Sequence, residues 1–531
     1  MTCVKPADIR AKPTPSLVPS PRRPPPAAAC EWDILSGRNR VPLRAHNADP
    51  RPPSRRRASH DTTREESRPT VTDQTQRVTD TETTEANVGS PPQDVVRKGG
   101  TFEAFRYRAY AVFWSGAVVS NIGTWMQNYA LGIVVYAFRH SELDLGLVNF
   151  LAGIPTLLLA IPGGAIADHF DKRKLIGWSQ GVLGILAAAL ALLYGSGRLT
   201  SAHPVEALVW VSAIGMGAGV MTALSFPAWQ AMIPDLVPRP TLQNAIALNS
   251  AQFQSARLLG PLIAGAMVVA GAGMGEIFWV NAVSFLFVIA AVAVTKPQFA
   301  VAHPQQSTAG ETAWHRLTAG VRYAASDKII GTLIVTTVII TIFAMPYMML
   351  LPAIVDKALL PAVLTGAVRD SEIKKNVSYL MGANGFGAVL GALIVASLPR
   401  TVRRERLVRY TLLALSVLLL AFSFSRSIWV SLPLSALAGA ALLTTNSLAN
   451  TSIQASSPPH LRGRVIAVYI MAFLGIMPIS ALLFGILGNA IGPTNAIFAG
   501  ALVAMAWALF LVARPSLLTP NVPEAVTSPT D

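Results

Sequence analysis

The residues whose types and spacing could do chemistry are almost all uncharged. Asn121, Trp125 and Asn128 recur at helical spacing on one side of an apolar run, and Asn249 and Gln252 do so on another. Thr222, Phe226 and Trp229 mark a third face, and Thr337, Thr341 and Tyr347, then Asn384, Asn446 and Asn450, extend the set. Such groups either line a polar cavity or bond neighbouring helices, an interaction worth under about 1 kcal/mol each in an apolar surround. Arg257 is different, because it puts a full charge in the middle of the run 243–271. A charge at membrane depth costs ~2.5–3.5 kcal/mol on insertion scales, so it faces a cavity or a partner. Two readings of it stand side by side: a contact to an anionic or carbonyl-rich substrate, or a structural arginine bonded to backbone carbonyls of the first run.

The chemistry that is missing narrows the function. There is no Gly-x-x-x-x-Gly-Lys-Ser/Thr loop for nucleotide phosphates and no His-Glu-x-x-His metal motif. No catalytic residue, metal ligand or cofactor site is therefore assigned. No Asp or Glu falls within the core of any apolar run, where proton-coupled carriers usually place a titratable carboxylate. Glu276, Asp356 and Asp168 lie only at run edges.

The elements that must position these groups are long and apolar. Hydrophobic residues make up 52% of the 531 and charged residues 13%, against about 25% charged in a typical soluble domain. A helix crossing ~30 Å of hydrocarbon needs about 20 mostly apolar residues. Six such runs fall at 109–137, 144–166, 175–195, 205–228, 243–271 and 277–295, and six more at 328–355, 376–398, 407–425, 428–452, 462–489 and 492–513. The expected fold is an all-α membrane protein of twelve transmembrane helices in two six-helix halves. The halves span 101–295 and 328–515, with a short tail at 516–531.

Residues 1–100 are rich in Pro, Arg, Ser and Thr and read as a disordered cytoplasmic tail, or as sequence upstream of the true start. Both cysteines, Cys3 and Cys30, lie in it, so no disulfide staples the apolar region. The polar interval 296–327 reads as a cytoplasmic linker whose Trp314, Leu317 and Val321 form one face of an amphipathic surface helix. Basic residues concentrate in alternate loops: Lys172, Arg173 and Lys174; Arg239; Arg316, Arg322 and Lys328; Arg400 to Arg409; Arg462 and Arg464. The opposite loops balance their bases with acids. By the positive-inside rule both termini are cytoplasmic, in a multi-pass protein of the cell membrane. The formal charge of +15 follows from tail and loops and implies no nucleic acid.

Five stretches, two of them overlapping, carry a family resemblance. Gly164-Ala-Ile-Ala-Asp168-His-Phe-Asp171-Lys172-Arg173-Lys174, between the second and third runs, resembles the cytoplasmic signature of the major facilitator superfamily, with His169 where the family usually has Arg. Ala256-Arg257-Leu-Leu-Gly260-Pro261-Leu-Ile-Ala264-Gly265 resembles the superfamily's antiporter pattern, with Ala for Gly at two positions. Ser120 to Asn128, Pro238 to Gly265 and Leu461-Arg-Gly-Arg464 are similar to the branch that contains the enterobactin exporter, the transmembrane secretion effectors. The resemblance covers residues 101–515 and implies the major facilitator fold and alternating access. It also implies that Gly164, Asp168, Lys172, Arg173, Gly260, Pro261 and Arg464 act in conformational gating, with Asp168 capping the run that begins near Arg464. Pro261 and Pro478 occupy matching positions in the fifth and eleventh runs.

The resulting expectation is a monomeric secondary transporter, not an enzyme. It exports a small organic molecule such as a siderophore, drug or other metabolite, with protons as the candidate antiported ion. Its partners are that substrate and the lipid bilayer. The alternatives are uptake of a small solute on the same fold, or a non-transporting receptor or scaffold. The candidate substrate-binding residues are Asn121, Trp125, Asn128, Thr222, Asn249, Gln252, Arg257, Thr341, Tyr347, Asn384 and Asn446.

Overall fold

The computed structural model describes residues 100, 102–296, 299, 313–399, 402–458 and 461–519, the side chains of 160–169 and 313–317 excepted. The expected tail at 1–100, most of the linker before Ala313, and the segment after Thr519 lie outside the described residues, as do the side chains of Gly164 and Asp168.

The described chain is helical throughout, with no strand. The first six helices are α1 (Arg108–Arg139), α2 (Glu142–His169), α3 (Lys172–Gly195), α4 (Pro204–Leu236), α5 (Leu242–Val269) and α6 (Met274–Val294). A short α7 (Ala313–Ser326) follows, where the amphipathic pattern predicts a helix. Next come α8 (Lys328–Ile339), α9 (Leu351–Ile354), α10 (Gly366–Ser397), α11 (Arg404–Phe424) and α12 (Ile428–Ser456). The last three are α13 (Arg462–Ile470), α14 (Met477–Ile491) and α15 (Pro493–Ala513). Ten stretches among the described residues are long and apolar enough to cross a membrane. Helices α1 and α5 have the length, with 32 and 28 residues, but are not among those ten.

Local sequence explains where the helices begin and stop. Asp171 caps α3 by accepting from the backbone N–H groups of Arg173 and Lys174, and Asp327 caps α8 by accepting from that of Ile330. Pro204 and Pro493 occupy first-turn positions that need no N–H. His140 ends α1 at φ 49, and Gly492 separates α14 from α15 at φ 86.

Two of the apolar runs are not simple helices. The seventh run, expected as one span over 328–355, is α8 followed by a π turn (Ile340–Ala344), a 3-10 turn (Met345–Met348), α9 and a second π turn (Val355–Leu359). Pro346 and Pro352 each lack an N–H for the i→i−4 ladder, which explains the change of winding. The eleventh run is likewise α13 and α14 joined by a π turn (Met471–Gly475), with Pro478 at the start of α14. Pro261, by contrast, sits inside an uninterrupted α5.

Packing pairs α2 with α4, α3 with α6, α1 with α5 and α6, α10 with α12, and α11 with α12 and α15. Two further seams run between early and late helices: α2 along α14, and α5 along α10. Both are built on small residues that bring backbones together. A Cβ on Gly146 would lie 2.7 Å from the Ala481 carbonyl, and one on Gly385 2.5 Å from the Leu258 Cα. Large apolar side chains such as Trp178, Ile185, Leu286, Leu393 and Trp429 are exposed on the outside. A bundle with this surface needs lipid around it.

Candidate functional site

At the centre, α5 carries Arg257 to the seam with α10, facing the broken stretch after α8. One Nη of Arg257 donates to the Asn384 side-chain carbonyl at 3.0 Å and lies 2.9 Å from the Met348 sulfur. The guanidinium carbon stands 5.7 Å from the ring centre of Trp125 on α1, a cation–π arrangement. Trp125 is itself edge-on to Phe253. Asn384, fully buried, donates through its amide to the Tyr347 hydroxyl and at 3.4 Å to the Ser435 carbonyl on α12. Tyr347 packs edge-on against Phe422. The cluster thus draws on α1, α5, α10, α12 and the segment between α8 and α9. The reading of Arg257 as an arginine held by backbone carbonyls of the first run does not match: its partners are side chains, two of them from the later helices. Its buried Nε has no hydrogen-bond partner.

Of the residues singled out in the sequence, Trp125, Arg257, Tyr347 and Asn384 are brought together. Thr341 lies on the π turn just before them, fully buried with its hydroxyl unpartnered, and Gln252 is buried on α5 with an unpartnered amide nitrogen. Asn446 gives its amide to the carbonyl of Leu442 in its own helix, leaving its side-chain oxygen buried and unpartnered. Thr222 spends its hydroxyl on Ala218 of its own helix and is exposed. Asn121 and Asn249 are half-buried and Asn128 is exposed, and none of them is among the hydrogen-bond partners of Arg257. Met348, Ser435 and Phe253 were not anticipated. A methionine in an apolar run carries no signal of a polar role, although its sulfur is a weak acceptor.

The residues expected to act in gating, Gly164 and Asp168 apart, fall into two groups. Lys172 pairs with Asp235 at 2.7 Å and donates to the Ala231 carbonyl, both on α4. Arg173 donates to the carbonyls of Val292 and Ala293 at the C-terminal end of α6, where a positive charge also complements the helix dipole. Both bases are therefore anchored among α3, α4 and α6. The second group lies on α5 and α13. Gly260 meets α1, where an added Cβ would lie 2.5 Å from Trp125 Cβ and 3.0 Å from the Ile122 carbonyl. The Pro261 carbonyl accepts from the Ser378 hydroxyl at 2.7 Å, across the seam to α10. Arg464 lies in the first turn of α13, and its carbonyl lies against Gly320 of α7.

A polar cluster not anticipated in the sequence closes the end of the bundle that carries the α1–α2 turn. Asp356 accepts from Arg369 Nε at 2.6 Å and from the Tyr136 hydroxyl at 2.8 Å, with His140 Nδ1 at 3.4 Å. Lys357 pairs with the buried Glu142 at 2.6 Å. Burial disfavours the Asp356 carboxylate, but the hydrogen bonds from Arg369 and Tyr136 outweigh it and hold its carboxyl below the usual range. Elsewhere, an open groove of about 470 Å³ between α1 and α6 is lined by apolar residues such as Val119, Ile263 and Phe287 and by none of the candidate site residues.

A family model described as transmembrane secretion effector matches residues 99–527. The multidrug efflux pump Tap of Mycolicibacterium fortuitum is 26% identical over 381 residues, covering 71% of this chain and 88% of that protein. The enterobactin exporter EntS of Escherichia coli O1:K1 / APEC is 24% identical over 397 residues, covering 74% and 87%. Among solved structures, the nucleoside transporter NupG superposes with a TM-score of 0.55 at 11% identity, over 76% of this chain and 98% of that one. A POT family transporter in complex with 5-aminolevulinic acid gives 0.56 at 12% identity, over 80% and 98%. These two likenesses concern the fold alone.

Proposed function

We propose that this chain, which belongs to the transmembrane secretion effector family, exports a small organic molecule across the cell membrane by alternating access. The family and the similar full-length proteins are membrane transporters, so the chain is a multi-pass transporter and not an enzyme. The observation that carries the reading is the Arg257 cluster. It places a charge, amides and aromatic rings from five helical segments deep between early and late helices, as a carrier's binding site requires.

In this reading α1 and α5 also cross the membrane, giving twelve spans in two halves, with both termini cytoplasmic. The matched seams, α2 with α14 and α5 with α10, support two related halves, as do Pro261 and Pro478 beside them. The α1–α2 end is then the outer end, closed in this conformer by Asp356 and Glu142 and their partners. Asp168 acts as the latch at the opposite end, toward α13.

Metabolite profiling of medium and cells, with and without the protein, tests the proposal. Export predicts a compound lost from the medium and accumulated inside, with Asn384→Leu reproducing the loss. The reverse pattern would mean uptake. No change in any compound, together with tight retention of a protein partner, would mean a receptor.

A further inference from the structure

We infer that the transported molecule is an organic anion, and that the membrane potential, acting through the fixed charge of Arg257, drives its export without a counter-ion. The inference rests on the export reading above and adds what moves and what drives it.

Among the described residues, Arg257 is the only Asp, Glu, Lys, Arg or His in the central part of a long helix; the others cluster at the ends or, in α10 and α11, in the first third. A guanidinium keeps its charge at any physiological pH. Among the described residues no carboxylate pairs with it. Its neighbours are an amide oxygen, a thioether and an indole face, and its Nε has no partner. Neutral dipoles of this kind solvate a cation without cancelling it. The missing negative charge is therefore supplied by the ligand, most simply a carboxylate or another oxyanion able to reach Nε. Trp125, Phe253 and Tyr347 suit an unsaturated or ring-bearing body.

The coupling follows from the same charge. In an alternating-access carrier the central site shares the potential of whichever side it opens to. The unloaded site carries +1, so an inside-negative potential holds it open to the cytoplasm. A bound monoanion cancels the charge, and the loaded carrier reorients without opposition from the field. Once the anion leaves outside, the field draws the unloaded site back. Each cycle moves one negative charge outward, which the potential favours, and no titratable carboxylate in the spans is needed.

The test reads the unloaded carrier and needs no substrate. The full chain carrying Cys3→Ser, Cys30→Ser and Ala353→Cys is placed in right-side-out membrane vesicles. Ala353 is fully buried on α9, within the closed outer end. The probe is a membrane-impermeant maleimide added outside, with valinomycin and potassium gradients setting the potential. Collapsing a 100 mV inside-negative potential should raise the labelling rate, by up to roughly 50-fold for one charge crossing the whole field. Arg257→Gln should label at one rate at both potentials, and Arg257→Lys should restore the dependence. Equal labelling of the parent at both potentials, no labelling at either, or a voltage effect that survives Arg257→Gln would overturn the proposal. A rate that follows pH and ignores voltage would overturn it in favour of proton antiport. Leu350→Cys, also fully buried, repeats the measurement should Ala353→Cys fail to fold. The metabolite profile tests export separately, and within it the affected compounds should be anions at neutral pH.

Discussion

The Tyr136 hydroxyl donates to the Asp356 carboxylate at 2.8 Å, joining residues 220 positions apart in the sequence. Arg369 holds the other carboxylate oxygen, and the Lys357–Glu142 pair lies one residue further along. The end of α1 and the start of α2 are thereby tied to the end of the broken seventh run and the start of α10. A carrier that opens at this end has to break these contacts.

Lys357→Met should weaken that closure. Glu142 is 1% exposed and would lose its charged partner, whereas Lys357 is 44% exposed and screened by water. A loss of about 1–3 kcal/mol from the closed conformer is expected. Spin-label distances between the α1–α2 turn and the start of α10 should broaden toward longer values. Glu142→Gln added to Lys357→Met should then recover part of that loss, because it removes the buried charge left unpaired.

The closure should also withstand mild acid. Because the Asp356 carboxyl is depressed, its contribution is full above the ordinary aspartate value, about 3.9, and is lost as pH falls through its lowered value. The stability difference between the parent and Asp356→Asn, read by thermal unfolding, should stay constant from neutral pH to about pH 4 and shrink below it. The same comparison in a His140→Gln background removes the imidazole that faces this carboxylate.

Gly265 should tolerate no side chain while Ser378 is present. A Cβ there would overlap Ser378, whose hydroxyl holds the Pro261 carbonyl. Gly265→Ala should cost about 1–3 kcal/mol through overpacking. Ser378→Gly in the same chain should recover most of the thermal stability, which a defect confined to α5 would not show.

Asn384→Asp should cancel the central charge from within. An aspartate at this buried site would face Arg257 Nη where the amide oxygen now sits. Export of the anionic compound should fall at least tenfold, and the voltage dependence of labelling at residue 353 should flatten, with expression retained.

Asp168→Asn should cut transport without loss of expression if the latch toward α13 is correct. Full export activity in that variant would reject the latch and leave the loop as a plain positive-inside turn.

Much of this site was legible because its members are costly where they stand. Arg257 stood out by its charge in an apolar run, and Asn384 and Tyr347 by polar groups that burial has to satisfy. That they meet was not legible, since the contact bridges 127 positions between α5 and α10. Thr222 and Asn446 looked equivalent to Asn384, but each bonds the carbonyl four residues back, which any such side chain on a helix can reach. The polar cluster at the α1–α2 end left only an indirect trace, loops whose bases and acids balance, because a balanced loop reads as solvated until geometry pairs its members. Helix existence followed from long apolar runs. The broken winding of the seventh run was signalled only by Pro346 and Pro352, and a hydropathy reading passes over both.

That winding gives the seventh run a built-in register shift. A π turn holds one residue more than the α turn it replaces. If the turn at Ile340–Ala344 gave up that residue, the short stretch directly beyond it would rotate by about 100° around the axis. Tyr347 and Met348 lie beyond it and would swing off Asn384 and Arg257 while the remainder of the bundle stayed put. The short stretch that completes the Arg257 cluster therefore owes its contacts to the winding of a single turn.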